Sequence, residues 1–142
     1  MRLVLDASVV LSWFVERPDA QEVALAAEVL TNVERGEAVV PLLWFAEIAN
    51  GLLVAEARNL ANSNKTAKFL GELAAMPIAE DSVRPRHVQR EVLSLGRRYG
   101  LTAYDATYLE LTLRIGVPLA TFDQKLAEAA RTAGVRVFGD AP

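Results

Sequence analysis

Helical and strand patterns alternate along residues 101–138, LTAYDATYLELTLRIGVPLATFDQKLAEAARTAGVRVF. Two stretches of helical periodicity, 103–115 and 124–133, are each followed by a short apolar run rich in β-branched residues. Gly116 and Gly134 stand just after the helical stretches, at positions where glycine commonly ends a helix. Helices that alternate with short buried strands predict a parallel sheet covered by helices on both faces.

The same alternation extends towards the N-terminus. The predicted strands are residues 2–6, 38–41, 117–121 and 135–138, with a weaker one at 77–79. The predicted helices are residues 19–34, 42–58, 63–75, 83–99, 103–115 and 124–133. No linker-like tract or internal repeat interrupts the pattern, so we expect one α/β domain over residues 1–142.

The composition excludes several kinds of site. Cysteine is absent, which removes disulfides, thiolate metal sites and cysteine nucleophiles, and the single histidine, His87, excludes a multi-histidine metal site. The apolar run at 3–15 is too short and too interrupted to span a bilayer. These features predict a cytoplasmic protein that does not contact membranes.

Four acidic residues stand at strand ends or near helix starts. Asp6 follows a predicted strand, Glu47 lies in a mostly apolar helix, and Asp105 and Asp123 are near the starts of the last two helices. Each has a structural alternative: Asp6 and Asp123 as helix caps, Asp105 in a capping box with Thr102, and Glu47 on a solvated helix face.

As a set, the four acids favour a metal site. Ligands in α/β folds bind beyond the carboxyl ends of the strands, where the fold brings these positions together. Clustered carboxylates repel one another and lose solvation unless a cation neutralises them. All-oxygen ligands suit Mg²⁺ or Mn²⁺, and such sites commonly catalyse phosphoryl transfer.

The chain resembles the PIN-domain nucleases, specifically the VapC-type toxins of toxin–antitoxin pairs. The matching elements are LVLDASVVLSWF, WFAEIANGLL and the long C-terminal stretch from Leu101 to Val135, in the order and spacing of the family. The resemblance covers about residues 3–138. It implies a three-layer α/β/α sandwich with a mostly parallel sheet, and a Mg²⁺- or Mn²⁺-dependent endoribonuclease.

Carried over residue by residue, the resemblance makes Asp6, Glu47, Asp105 and Asp123 the catalytic metal ligands. The first three would hold the principal metal directly or through water, and Asp123 would complete the ring. Ser8, Asn50 and Thr121 match the polar residues around these acids. The implied reaction is in-line attack of water on an RNA phosphodiester, which leaves 5′-phosphate and 3′-hydroxyl ends. A second metal is in doubt, because Gln124, Lys125 and Leu126 stand where some relatives carry a further acid.

The net charge of −3 does not by itself indicate an RNA-binding protein. Setting the four candidate ligands aside leaves 14 acidic against 15 basic residues, so the clustering of the cations matters more than the total. The candidate RNA contacts are Arg84, Arg86, Arg90, Arg97 and Arg98, and the alternative is that they form a solvated helix face.

Region 42–76 is richer in apolar residues than one buried helix face requires, which favours a homodimer contact, an antitoxin contact or extra core. The resemblance implies both partners. Three other functions stay open: a phosphoacceptor signalling domain, a catalytically silent RNA- or protein-binding domain, and a PIN nuclease of RNA maturation. The signalling domain fits poorly, because no central strand offers an acceptor aspartate.

Overall fold

A computed structural model describes residues 1–141. The elements in chain order are β1 (Arg2–Leu5), α1 (Ala7–Phe14), α2 (Ala20–Arg35), β2 (Glu37–Val40), α3 (Leu43–Ala57), α4 (Ser63–Ala74), β3 (Ile78–Glu80), α5 (Pro85–Tyr99), α6 (Ala103–Ile115), β4 (Leu119–Ala120) and α7 (Gln124–Thr132). Within this part of the chain, every helix is too short or too polar to span a lipid bilayer.

The four strands form one parallel sheet in the order β3-β2-β1-β4. Val4 at the centre of the sheet pairs with Val39 on one side and Leu119 on the other. Parallel strands covered on both faces read as continuous apolar runs, and Leu3, Val4 and Leu5 are fully buried. The chain is thus the predicted α/β/α sandwich with its parallel sheet.

The order of the strands creates a crevice at one edge of the sheet. From β1 the chain moves to β2 and β3 on one side, and then returns to place β4 on the other side of β1. Such a change of direction leaves a gap beyond the carboxyl ends of the two strands, where α/β proteins bind ligands. Asp6 and Thr121 directly follow these two strand ends.

Helices α3 and α6 approach this crevice. Gly51 lets α3 pack closely on α1, because a Cβ at this position would collide with the side chain of Leu11. Helix α6 begins at Thr102, whose Oγ1 accepts a hydrogen bond of 3.2 Å from the backbone N–H of Asp105. It ends at Gly116, whose φ of 68° is a left-handed conformation suited to glycine.

One helix was missed and one predicted strand was wrong. Helix α1 was not predicted, because its eight residues continue the apolar run of β1 with only Asp6 between them. Residues 135–138 do not form a strand but make one isolated bridge, between Val137 and Leu119. Since β4 itself has only two residues, it offers too short an edge to pair with another full strand.

Candidate active site

The four acidic residues predicted from the sequence line one cavity of about 440 Å³. Asp6 follows β1, Glu47 lies in the second turn of α3, Asp105 lies in the first turn of α6, and Asp123 precedes α7. These segments are far apart along the chain and meet at the carboxyl edge of the sheet. Asn50, one turn beyond Glu47, is exposed and lines the same cavity.

Asp6 is held by hydroxyl groups rather than used as a helix cap. Its carboxylate is 7% exposed, and Oδ2 accepts hydrogen bonds from Ser8 Oγ at 2.7 Å and from Thr121 Oγ1 at 2.6 Å. Asp6 occupies the N-cap position of α1, yet its side chain makes no capping bond. The two hydroxyls therefore orient this carboxylate at the cavity.

Ser8 and Thr121 also tie the two strand ends together. Ser8 Oγ accepts a hydrogen bond of 3.0 Å from the backbone N–H of Phe122, and Thr121 Oγ1 accepts one of 3.0 Å from the backbone N–H of Asp123. Each hydroxyl donates to Asp6 and accepts from the segment after β4. The network thus fixes the position of Asp6 relative to Asp123.

Glu47 is oriented by a residue to which the sequence analysis assigned no role. The hydroxyl of Tyr108, a side chain that is fully buried, donates a hydrogen bond of 2.5 Å to Glu47 Oε1. Tyr108 lies one helical turn after Asp105 on α6, so this contact also joins α6 to α3. The matching stretch from Leu101 to Val135 contains this residue, but only the fold shows its partner.

Asp105 and Asp123 line the cavity and also lie at the start of a helix. The backbone of Asp105 bonds to the Thr102 cap, and Asp123 Oδ1 accepts a hydrogen bond of 2.9 Å from the N–H of Leu126. The Asp123 side chain therefore caps α7, whereas at Asp105 the capping bond uses its backbone N–H and the Thr102 side chain. Both acidic side chains are half-buried beside the other acids.

Burial and mutual repulsion raise the pKa of three of these carboxyl groups. Desolvation is the largest cause for Asp6, Glu47 and Asp105. The negative charge of Asp123 raises the pKa of Asp6 and Asp105 further, and the charges of Asp6 and Asp105 act on Glu47. Hydrogen bonds from Thr121, Ser8 and Tyr108 oppose this shift. The cluster is therefore short of positive charge.

The donor set fits a hard divalent cation. Carboxylate and hydroxyl oxygens are the ligands that Mg²⁺ and Mn²⁺ prefer, and a cation would relieve the repulsion that raises the pKa values. Within residues 1–141, no three Asp, Glu or His side chains already converge closely enough to enclose a metal ion. Mg²⁺, which keeps several water ligands and commonly binds through one or two carboxylates, would meet the rest of this set through water.

The predicted RNA-contact arginines lie away from the cavity. Arg84 immediately precedes α5, and Arg86, Arg90, Arg97 and Arg98 are exposed on that helix. None of the five lines the cavity, and none forms an ion pair within residues 1–141. The cation that does line it is Arg17, in the loop between α1 and α2, which the sequence analysis missed.

The apolar region 42–76 is partly core and partly surface. Trp44, Leu52 and Phe69 are buried, whereas Phe45 and Leu70 are 44% and 47% exposed. A groove of about 380 Å³ lies between α3 and α4, and Trp44, Phe45 and Leu70 line it. The indole Nε1 of Trp44 is buried there without a hydrogen-bond partner in the described chain.

Comparison with known proteins identifies close similarity over most of the chain. The sequence pattern described as "PIN domain" matches residues 3–132. Ribonuclease VapC3 of Pyrobaculum aerophilum is 31% identical over 131 residues, which cover 90% of this chain and 94% of that protein.

Two solved structures share the fold. The crystal structure of FitAcB from Neisseria gonorrhoeae has a TM-score of 0.64 at 17% identity, with 96% of each chain covered. The crystal structure of PAE2754 from Pyrobaculum aerophilum has a TM-score of 0.63 at 24% identity, covering 91% of this chain and 87% of that one.

Proposed function

The chain belongs to the PIN-domain family, and from this we propose that it is a Mg²⁺- or Mn²⁺-dependent endoribonuclease, the toxin of a type II toxin–antitoxin pair. The observation that carries the proposal is the cavity at the carboxyl edge of the sheet. Four carboxylates from four separate segments line it, and three of them have raised pKa values. A ribonuclease as a 31% identical relative supports RNA as the substrate class.

In the proposed reaction, the residues of the chain hold and orient the reacting groups. Asp6, Glu47 and Asp105 are the proposed principal ligands, and Asp123 completes the ring. Ser8 and Thr121 position Asp6, and Tyr108 positions Glu47. When bound, the cation supplies a Lewis acid that activates water and neutralises charge on the phosphate. The proposed products carry 5′-phosphate and 3′-hydroxyl ends.

Cleavage of an RNA panel tests this function. The panel contains total tRNA, ribosomal RNA and a generic single strand, each incubated with Mg²⁺, Mn²⁺ or EDTA. We expect cleavage that requires the metal and is lost in Asp6→Asn and in Asp105→Asn. Glu91→Gln is the matched control, because it removes an exposed carboxylate of α5, outside the cavity. Cutting that survives EDTA or both cavity variants would contradict the proposal.

The proposed protein partner is an antitoxin that occupies the groove between α3 and α4. This surface exposes the apolar side chains of Phe45 and Leu70 beside the buried Trp44. A partner segment with apolar side chains would cover both exposed residues. Exposed apolar grooves also form homodimer contacts, so a second copy of the chain is the competing occupant.

Substitution in the groove separates the two occupants. The protein is co-expressed with the product of a neighbouring short reading frame, and its mass is measured alone and in the complex. Leu70→Glu should prevent capture of the antitoxin while leaving cleavage unchanged, because Leu70 does not line the acidic cavity. A variant that still binds the antitoxin but loses self-association would assign the groove to the homodimer instead.

A further inference from the structure

Arg17 occupies an unusual position for a basic residue. It is the single cation among the described residues that line the acidic cavity. It also lines a second polar cavity, of about 410 Å³, which shares Phe122 and Asp123 with the first. Arg17 therefore stands on the wall between the carboxylates and a neighbouring groove.

The surroundings of Arg17 hold its side chain without using its hydrogen-bonding capacity. The guanidinium carbon lies 4.8 Å from the centroid of the Phe122 ring, a cation–π contact. Nε lies 3.1 Å from Glu22 Oε2 but makes no hydrogen bond, and it is buried. A planar guanidinium that is stacked on one face and buried at Nε keeps the N–H groups of its two Nη atoms for another ligand.

The charge of the cavity indicates what that ligand is. One divalent cation balances only two of the four carboxylates when all four are ionised. An RNA phosphodiester brings a further negative charge, which such a cavity would repel. A guanidinium can form paired, charge-assisted hydrogen bonds to a phosphate and offset this repulsion.

We infer that Arg17 binds a phosphate of the RNA substrate at the cleavage site, with Phe122 as the platform that orients its guanidinium. The inference rests on the proposed ribonuclease function and adds a positioning cation to it. Glu22 holds the side chain through the ion pair until the phosphate binds. Of the basic residues in the chain, Arg17 is thus a direct substrate contact, whereas the α5 arginines lie outside the cavity.

The test separates phosphate binding from a structural role. Arg17→Ala and Arg17→Lys are made in the wild-type protein to measure cleavage. They are also made in the Asp105→Asn variant to measure binding of a short fluorescent single-stranded RNA. Arg17→Ala should weaken RNA binding about ten-fold or more and make its salt dependence shallower by about 0.7 in log–log slope. Arg17→Lys keeps the charge but loses the planar donor pair, so its RNA affinity should lie between that of the parent protein and that of Arg17→Ala.

Mn²⁺ affinity distinguishes a phosphate contact from a structural role, because only a structural defect should lower it. Removal of a positive charge beside the carboxylates should leave Mn²⁺ binding unchanged or tighter, measured by thermal shift in the cleavage-competent protein. Arg58→Ala, which removes an exposed cation at the end of α3, is the matched control and should alter neither property.

Each outcome decides the inference. Wild-type RNA binding in Arg17→Ala, or a joint loss of RNA binding, Mn²⁺ affinity and thermal stability, would overturn it. If Asp6→Asn abolishes cleavage while Arg17→Ala cleaves and binds normally, only the role of Arg17 is wrong. If the wild type neither binds nor cuts RNA, the proposed function itself fails.

Discussion

Two groups of carboxylates lie beside α6, and only one of them is paired with a cation of the chain. In the ion-pair group, Arg114 binds Asp81 with bonds of 2.6 and 3.1 Å, and Glu110 with bonds of 2.8 and 3.0 Å. In the cavity at the start of the same helix, none of the four carboxylates forms an ion pair within residues 1–141.

The difference indicates what each group is for. Buried acids that serve the fold are matched with a cation, because an unpaired buried charge is costly. The acids of the cavity remain unmatched, and desolvation together with their mutual repulsion raises the pKa of Asp6, Glu47 and Asp105. Perturbed groups that share a cleft often mark a functional site, which supports the proposal that these carboxylates bind a cation.

The largest expected effect comes from changing a cavity acid without changing its shape. Glu47→Gln removes one negative charge while its carbonyl oxygen can still accept the hydrogen bond from Tyr108. We expect RNA cleavage to fall more than about 100-fold, beyond the loss typical of residues that only support a metal ligand. The rate of product formation at saturating Mn²⁺ measures it. A fall of less than ten-fold with normal folding would remove Glu47 from the proposed ligands.

Arg114→Met should have the opposite effect, because it should lower stability strongly and leave RNA cleavage unchanged. It leaves Glu110 and Asp81, whose side chains are 6% and 12% exposed, without their cation. The free energy of unfolding should fall by about 3 kcal/mol, the low end for a broken buried pair, because Arg114 is itself a quarter exposed. Denaturant unfolding measures this loss.

The control for Arg114→Met also removes the two negative charges that this substitution leaves unpaired. Adding Asp81→Asn and Glu110→Gln to Arg114→Met should restore much of the stability, since no unpaired buried charge remains. Cleavage per folded molecule should stay at the wild-type level in both variants. Lost cleavage in a folded Arg114→Met protein would show that the two acidic groups are not independent.

The sequence predicted the helices of the fold better than its shortest elements. Residues 103–115 agree with α6 at both ends, because Thr102 and Gly116 carry cap chemistry that acts locally. The eight-residue α1 follows β1 with only Asp6 between them, and Asp6 makes no capping hydrogen bond, so the boundary has a weak local signal. The predicted strand at 135–138 depended on a pairing edge that the two-residue β4 does not provide.

The candidate site was predictable in its acids but not in their surroundings. Strand ends and helix starts are visible in a sequence, so Asp6 and Asp123 could be assigned to one edge of the sheet. Tyr108 meets Glu47 across 61 residues, and Arg17 meets Phe122 only through the packing of a loop. Such contacts leave no periodic trace in the sequence. The role of the acids as metal ligands stays a prediction.

Metal binding should stabilise the protein through the cavity alone. At about 100 times its dissociation constant, Mn²⁺ should raise the free energy of unfolding by about 2.7 kcal/mol. Asp105→Asn should lose this increment, and Arg114→Met should keep it despite its lower starting stability. Thermal unfolding with Mn²⁺ and with EDTA measures both. An equal gain in Asp105→Asn would place the cation elsewhere.

The smallest effect is a dependence of the metal-free stability on pH. Asp6, Glu47 and Asp105 bind protons more tightly folded than unfolded, because their folded pKa values are raised above 3.8 or 4.5. The folded state therefore holds more protons above these ordinary values, and its stability falls as the pH rises through the raised pKa values. Denaturant unfolding in EDTA should show lower stability at pH 7 than at pH 5.

The contribution of Asp140 to stability should depend on pH in the opposite direction. Its hydrogen bonds with Arg131 lower its pKa below 3.8, so its stabilising contribution is present at higher pH and is lost only as the pH falls through that lowered value. Changes in stability above pH 5 therefore come from the carboxylates of the cavity and not from the exposed Asp140–Arg131 pair. Asp105→Asn should flatten the decline there, and saturating Mn²⁺ should reverse it, because the metal binds the ionised carboxylates. Stability that instead rises from pH 5 to pH 7 without metal, equally in the wild type and Asp105→Asn, would mean that folding does not raise the pKa of the cavity carboxylates.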